Sequence, residues 1–169
     1  MKIETISRDS VVKRKHDLPH WQFGDSVYFI TFRSAIGELN EESRLAVLEV
    51  IRAGNLKKFQ CILAVAMLDH VHIMMRPLKR RQEEYWDLSG IMKAIKGTSA
   101  RKINLLLGKD GPVWQKESYD RIIRDEDEYR QVENYILHNP LTAGLASQIG
   151  DYKFALDLSA LILNYNYVL

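Results

Sequence analysis

Short apolar runs separated by amphipathic stretches set the layout of this chain. Val27-Tyr28-Phe29-Ile30-Thr31-Phe32, rich in β-branched and aromatic residues, reads as a first strand. Asn40 is placed to cap a helix whose apolar positions Leu45, Leu48 and Ile51 share one face, with Gly54 as its stop. Phe59 to Met67 reads as a second strand. The apolar run continues into His70-Val71-His72-Ile73-Met74-Met75 after only Leu68-Asp69, a spacing that predicts a hairpin. Pro77 to Glu84 is polar and reads as an exposed loop. A helix follows from roughly Trp86 to Leu107, with Leu88, Ile91, Met92, Ile95, Ile103 and Leu106 marking its core face. Gly97 in mid-helix costs about 1 kcal/mol against alanine, and close approach of another backbone is one reason to keep it. Gly108 ends this helix and Gly111-Pro112 turns the chain. Tyr119 to Ile123 reads as a short strand. Asp125, with Glu128 three residues on, opens a last helix. That helix is expected to stop at Asn139-Pro140, because proline disfavours helical geometry in the residue before it.

The order strand, helix, strand, strand, helix, strand, helix predicts an α+β fold. It is ferredoxin-like, or RRM-like: a central antiparallel sheet with helices packed on one face. Residues 1–20 read as a basic N-terminal arm and 21–150 as the folded domain. The pattern assigns no place to the apolar, tyrosine-rich tail 151–169.

Composition narrows the function classes. The 169 residues are 46% hydrophobic and 27% charged, ordinary for a globular protein. No apolar run approaches the ~18 residues of a membrane span, and the N-terminus lacks the apolar core of a signal peptide, so a cytoplasmic location is expected. The single Cys61 excludes an internal disulfide framework and a cysteine zinc site, and reads as a buried thiol. Net charge is only +2, so any attraction to nucleic acid must come from local clusters. The clusters in view are Lys13-Arg14-Lys15, Lys79-Arg80-Arg81 and Lys93 with Lys96.

The chemistry gathers around His70 and His72. Alternation on a strand puts both imidazoles on one face, close enough to share one divalent ion, with Val71 and Ile73 on the other. The bland alternative is two hydrogen-bonded core histidines. In the last helix Tyr129, Val132 and Ile136 define a buried stripe, with Tyr135 at its edge. His138 and Asn139, three and four residues on, neighbour Tyr135 on the same side.

Several segments together resemble a known family. "LPHWQFGDSVYFITFR", "HVHIMM", "MKAIKGTSARKIN" and "GPVWQKESYDRIIRDEDEYRQVENYILHNPLTAGL" resemble the single-tyrosine HUH transposases, above all their REP-associated branch. The resemblance covers roughly residues 14–150 and implies the HUH endonuclease fold. It implies that His70 and His72 are paired metal ligands and that Tyr135 is the nucleophile. Asn139 would complete the metal site, with His138 the second choice. Implied with these are a divalent Mg or Mn ion and single-stranded or hairpin DNA as partner. The activity would be cleavage and rejoining through a covalent 5′-phosphotyrosine, by a monomer or homodimer. Arg121 and Arg124 join the candidate DNA contacts. Some relatives carry histidine where this chain has Arg121. The rival readings are a non-catalytic RRM-like nucleic-acid-binding module and a histidine-triad hydrolase, the latter disfavoured because position 74 is Met74.

Overall fold

The computed structural model describes residues 26–82 and 84–159, together with the backbone of 11–13 and 21–23. Two short strands, β1 (Val11–Lys13) and β2 (Trp21–Phe23), pair antiparallel within the segment expected to be an arm and at its junction with the domain. The remaining elements are β3 (Tyr28–Ser34), α1 (Glu41–Gly54), β4 (Phe59–Ala66), β5 (His70–Pro77), β6 (Lys79–Arg81), β7 (Glu84–Tyr85), α2 (Leu88–Leu107), β8 (Trp114–Ile122), α3 (Glu126–Thr142) and β9 (Ala155–Asp157). The main sheet has the order β8-β3-β5-β4-β9, all antiparallel, so the first four are arranged in the ferredoxin-like way. The histidine strand β5 lies in the middle.

Both faces of this sheet are covered. Tyr28, Ile30, Phe32, Val71 and Ile73 project to the face on which α1 and α2 pack, where Phe32 meets Trp114 and the Trp114 indole N–H donates to Ser99 of α2. The opposite face, carrying Phe29, Thr31 and His72, is covered by α3, whose Val132 and Ile136 are buried. The expectation of helices on one face therefore holds for α1 and α2 but not for α3. Double coverage explains why β4 and most of β5 are buried along their whole length instead of alternating.

Local chemistry accounts for the element ends. The Asn40 carboxamide accepts from Ser43 N–H and caps α1, and Asp87 does the same for α2 through Gly90 N–H. Gly108 closes α2 in the left-handed conformation (φ 59°). A two-residue turn, Leu68-Asp69, joins β4 to β5, closed by the bond from Met67 N–H to His70 C=O.

Five expectations change. Leu45 and Leu106 are 47% and 51% exposed, because each apolar stripe is rotated from the one the spacing suggested, toward Val47 in α1 and Ser99 in α2. Gly97 meets no other backbone; an added Cβ would lie 3.9 Å from the tip of Arg101 and touch nothing else within 4 Å. The segment 77–84 is not a loop but the start of an exposed charged hairpin, in which Arg81 faces Glu84 and Arg80 lies over Trp86. The strand expected at Tyr119 starts five residues earlier, at Trp114. Finally, α3 runs through Pro140 to Thr142. Proline there sacrifices one late backbone bond, and its burial offsets the loss.

The unplaced tail is partly accounted for. β9 extends the sheet beside β4, and Tyr152 and Phe154 are buried against α1. Residues 160–169 lie outside the described residues. Among the described residues no helix is long and apolar enough to cross a membrane.

Candidate active site

The middle strand and the third helix build one polar cluster inside an otherwise apolar interface. His70 and His72 project to the same face of β5, and their Nε2 atoms lie 3.1 Å apart. Each ring is held from behind. The Asp69 carboxylate accepts from His70 Nδ1–H at 2.6 Å, and Arg33 in turn donates to Asp69 at 2.9 Å. His72 Nδ1 is 2.8 Å from the Thr31 hydroxyl of the neighbouring strand. With the His70 Nδ1 proton held by Asp69, the His70 Nε2 lone pair faces the shared gap toward His72 Nε2.

The electrostatics keep His72 neutral. His72 is only 3% exposed, and burial, followed by the cationic sides of His70 and Arg33, pushes its pKa down to about 3, with Asp69 opposing. Asp69 is held below the ordinary carboxylate range, chiefly by its hydrogen bond to His70, against a smaller opposing effect of burial.

From α3, the Asn139 carboxamide reaches His72 Nε2 at 3.3 Å. Tyr135, one turn earlier on the same side, stacks edge-on to His72 with centroids 5.3 Å apart and to Phe29 at 5.9 Å, while remaining 52% exposed. The helix that carries them is fixed at its start. Asp125 accepts from Glu128 N–H, and the Glu128 carboxylate takes the Arg124 backbone N–H as well as the Arg121 and Arg124 guanidinium groups. Three acidic residues in the first turn complement the helix dipole.

Two imidazole nitrogens 3.1 Å apart are spaced to share either a proton or a cation. At bonds of ~2.0–2.2 Å a common ion would see these nitrogens at roughly 90–100°, an ordinary coordination angle. Turning the Asn139 amide over would offer its oxygen as third donor. The donor set therefore fits a divalent ion. Among the described residues no group of three or more His, Cys, Asp or Glu could hold a metal ion.

The family model for IS200-like transposases matches residues 30–139, which spans this entire cluster. The chain belongs to the IS200-like transposase family. Its fold is similar to that of a REP-associated tyrosine transposase solved with a REP hairpin, at TM-score 0.63 and 19% identity over 91% of this chain and 89% of the other. A transposase candidate from Deinococcus radiodurans R1 is also similar, at TM-score 0.48 and 16% identity over 74% and 95% of the two chains. No curated protein matches by sequence.

In this IS200-like transposase the cluster gathers His70, His72, Asn139 and Tyr135. His138 lies away from it, exposed and donating Nδ1–H to the Asn134 carbonyl of its own helix. Of the candidate DNA contacts, Arg121 shares the histidine face, over the Phe29 ring, and Arg124 is nearby and exposed. Lys93 and Lys96 belong to α2 on the far side of the sheet. The Lys96 ammonium is taken up by the Gln115 and Lys116 carbonyls and the Ser118 hydroxyl. Lys79, Arg80 and Arg81 sit on the β6–β7 hairpin. Arg14 and Lys15 lie outside the described residues, as does the side chain of Lys13.

Three supporting residues escaped the sequence reading: Asp69, Thr31 and Arg33. Asp69 adjoins His70, so a carboxylate next to a candidate ligand was a usable signal. Thr31 and Arg33 were hidden, because their roles depend on the β3–β5 register, in which Thr31 faces His72 and Arg33 faces His70.

Proposed function

We propose that this transposase cleaves and rejoins single-stranded, hairpin-forming DNA through a covalent 5′-phosphotyrosine on Tyr135. The observation that carries the reading is the pair of imidazole nitrogens 3.1 Å apart, with Asn139 and Tyr135 presented to it by one helix. An RNA-recognition-type binding module has no use for that set.

His70, His72 and Asn139 would hold the divalent ion, and their nitrogen-rich donor set favours Mn²⁺ over Mg²⁺. When bound, the ion supplies charge neutralisation at the scissile phosphate. The Tyr135 oxygen forms a bond to phosphorus as the P–O3′ bond breaks. The phenolic proton passes to solvent and the leaving 3′-oxygen is protonated. In rejoining, a 3′-hydroxyl attacks the phosphotyrosine and phenolate leaves, which is easy because phenol is acidic for an alcohol, with a pKa of ~10. Exposure of the Tyr135 ring suits a nucleophile that must meet a macromolecule. Tyr129, by contrast, is half-buried, and burial together with Glu133 and Asp157 pushes its hydroxyl up to about 12.

The test is to incubate the protein with 5′- and 3′-labelled hairpin DNA bearing single-stranded flanks, with Mn²⁺, and to look for a denaturant-resistant adduct. A 3′-labelled fragment attached to Tyr135 is expected. DNA binding without any adduct would support the binding-module reading instead.

A further inference from the structure

The histidine face carries an exposed aromatic ring that the cleavage chemistry leaves unused. Tyr119 on edge strand β8 lies directly opposite Thr31, and Thr31 lies opposite His72, so the three form one row across adjacent strands. With strands ~4.8 Å apart, the Tyr119 and His72 backbones are separated by about 10 Å. Thr31, the smallest side chain of the row, sits between two rings. Phe29 flanks the row, 6.4 Å from the Tyr119 ring, 5.9 Å from Tyr135 and 5.4 Å from His72. Tyr119 is nevertheless 58% exposed, so it contributes little to the core. Beside it lie two guanidinium groups, those of Arg121 and Arg124, both paired with the Glu128 carboxylate.

We propose that Tyr119 is a stacking platform for an unpaired DNA base next to the scissile phosphate. The assignment of the phosphate position rests on the cleavage reading above. The 10 Å step from the histidine pair is about the reach from a phosphate to the base of the same or the adjoining nucleotide. The ring offers its face only to an unpaired base, since duplex bases present no free face. The Arg121 guanidinium, on the same face as Tyr119 and over the Phe29 ring, is placed to meet the phosphate of that nucleotide. This role also separates Tyr119 from Tyr135: the first needs a ring, the second a hydroxyl.

The test has two arms. In the first, metal is withheld with EDTA and binding is read from the fluorescence of an oligo-dT strand containing 2-aminopurine. Tyr119→Ala should weaken binding about 5- to 150-fold, the value of one base–aromatic stack, and abolish part of the quenching. Tyr119→Phe should rescue most of that loss. In the second arm, the hairpin substrate carries single abasic sites along its flank. One position should weaken wild-type binding strongly and Tyr119→Ala hardly at all. An unchanged Tyr119→Ala affinity, or a Tyr119→Phe loss equal to that of alanine, overturns the proposal. Abasic effects equal in both proteins also overturn it. If the wild type forms no adduct on any hairpin yet the first arm behaves as expected, the cleavage reading fails while the stacking site stands.

Discussion

Tyr152→Phe should cost this protein a large fraction of its stability, although only one oxygen is removed. The Tyr152 hydroxyl donates to the Ala66 carbonyl at 2.9 Å and accepts from Arg44 Nη1 at 3.0 Å, and all three groups are buried. Arg44 lies under 10% exposed with its cation over the Phe154 ring, 3.8 Å from the centroid. Its Nε has no hydrogen-bond partner, and no carboxylate pairs with it among the described residues. Removing the hydroxyl leaves the guanidinium with a second unsatisfied buried donor, worth about 1.5–3 kcal/mol, and adds about 1 kcal/mol for the Ala66 bond. A loss of roughly 2.5–4 kcal/mol is expected against a total of about 5–15 kcal/mol. Urea denaturation should show this as a lower midpoint with an unchanged slope. Combined with Arg44→Met, the same substitution should cost much less, because the stranded charge is gone; a coupling of roughly 1–3 kcal/mol is expected in the double-mutant cycle. A Tyr152→Phe protein within about 0.5 kcal/mol of wild type, or strictly additive effects, would refute the reasoning.

Other outcomes follow from the site. Tyr135→Phe should keep the urea midpoint and DNA affinity and lose the covalent adduct; an adduct on that variant would move the nucleophile elsewhere. Mn²⁺ at about a hundred times its dissociation constant should stabilise the wild type by ~2.7 kcal/mol, read as a melting shift. The shift should vanish in His70→Ala/His72→Ala. Asp69→Ala and Thr31→Val should each weaken Mn²⁺ binding by ~10- to 100-fold in calorimetry without touching a ligand. Glu133, whose carboxyl is raised mainly by burial and next by Asp157, gives a pH test. The folded chain holds that proton to higher pH than the unfolded one, so its contribution is present below the ordinary carboxylate range and lost as pH rises through the folded value. Glu133→Gln should therefore gain stability at pH 7, by less than about 1 kcal/mol given partial solvent screening, and gain nothing at pH 3.

Much of the architecture was legible because it rests on local patterns. His70 and His72 two apart in an apolar run specify a shared face wherever the strand lies, and Leu68-Asp69 is too short for anything but a hairpin. Caps act within one turn: Asn40 and Asp125 started their helices, and Gly108 ended its helix, where expected. What escaped depends on distant partners. Leu45 was placed on the buried face of α1 because nothing in its helix says that Ser43 and Arg44 are the residues turned inward. Pro140 ended the helix on paper, but its burial depends on where the sheet lies. Lys96 looked free for DNA until β8 supplied three oxygens to its ammonium. The Tyr135–Asn139 spacing was readable from the helix alone; the Thr31 bond that fixes His72 was not.

The strand beside the histidines carries a hazard of its own. β4 reads Phe-Gln-Cys-Ile-Leu-Ala-Val-Ala and is buried throughout, one of the most apolar stretches of the chain. Among the described residues β9 covers the middle of its outer edge, pairing Ala155–Asp157 with Leu63–Val65. A variant cut after residue 150 would present that edge, with its row of unpaired amides, to other molecules. Such a row templates strand addition, and an uncharged apolar hexamer like Cys61–Ala66 is the kind of segment that self-associates. The three residues of β9 thus act as a gatekeeper of solubility, and shortened versions of this protein should precipitate during expression even where the histidine site would still assemble.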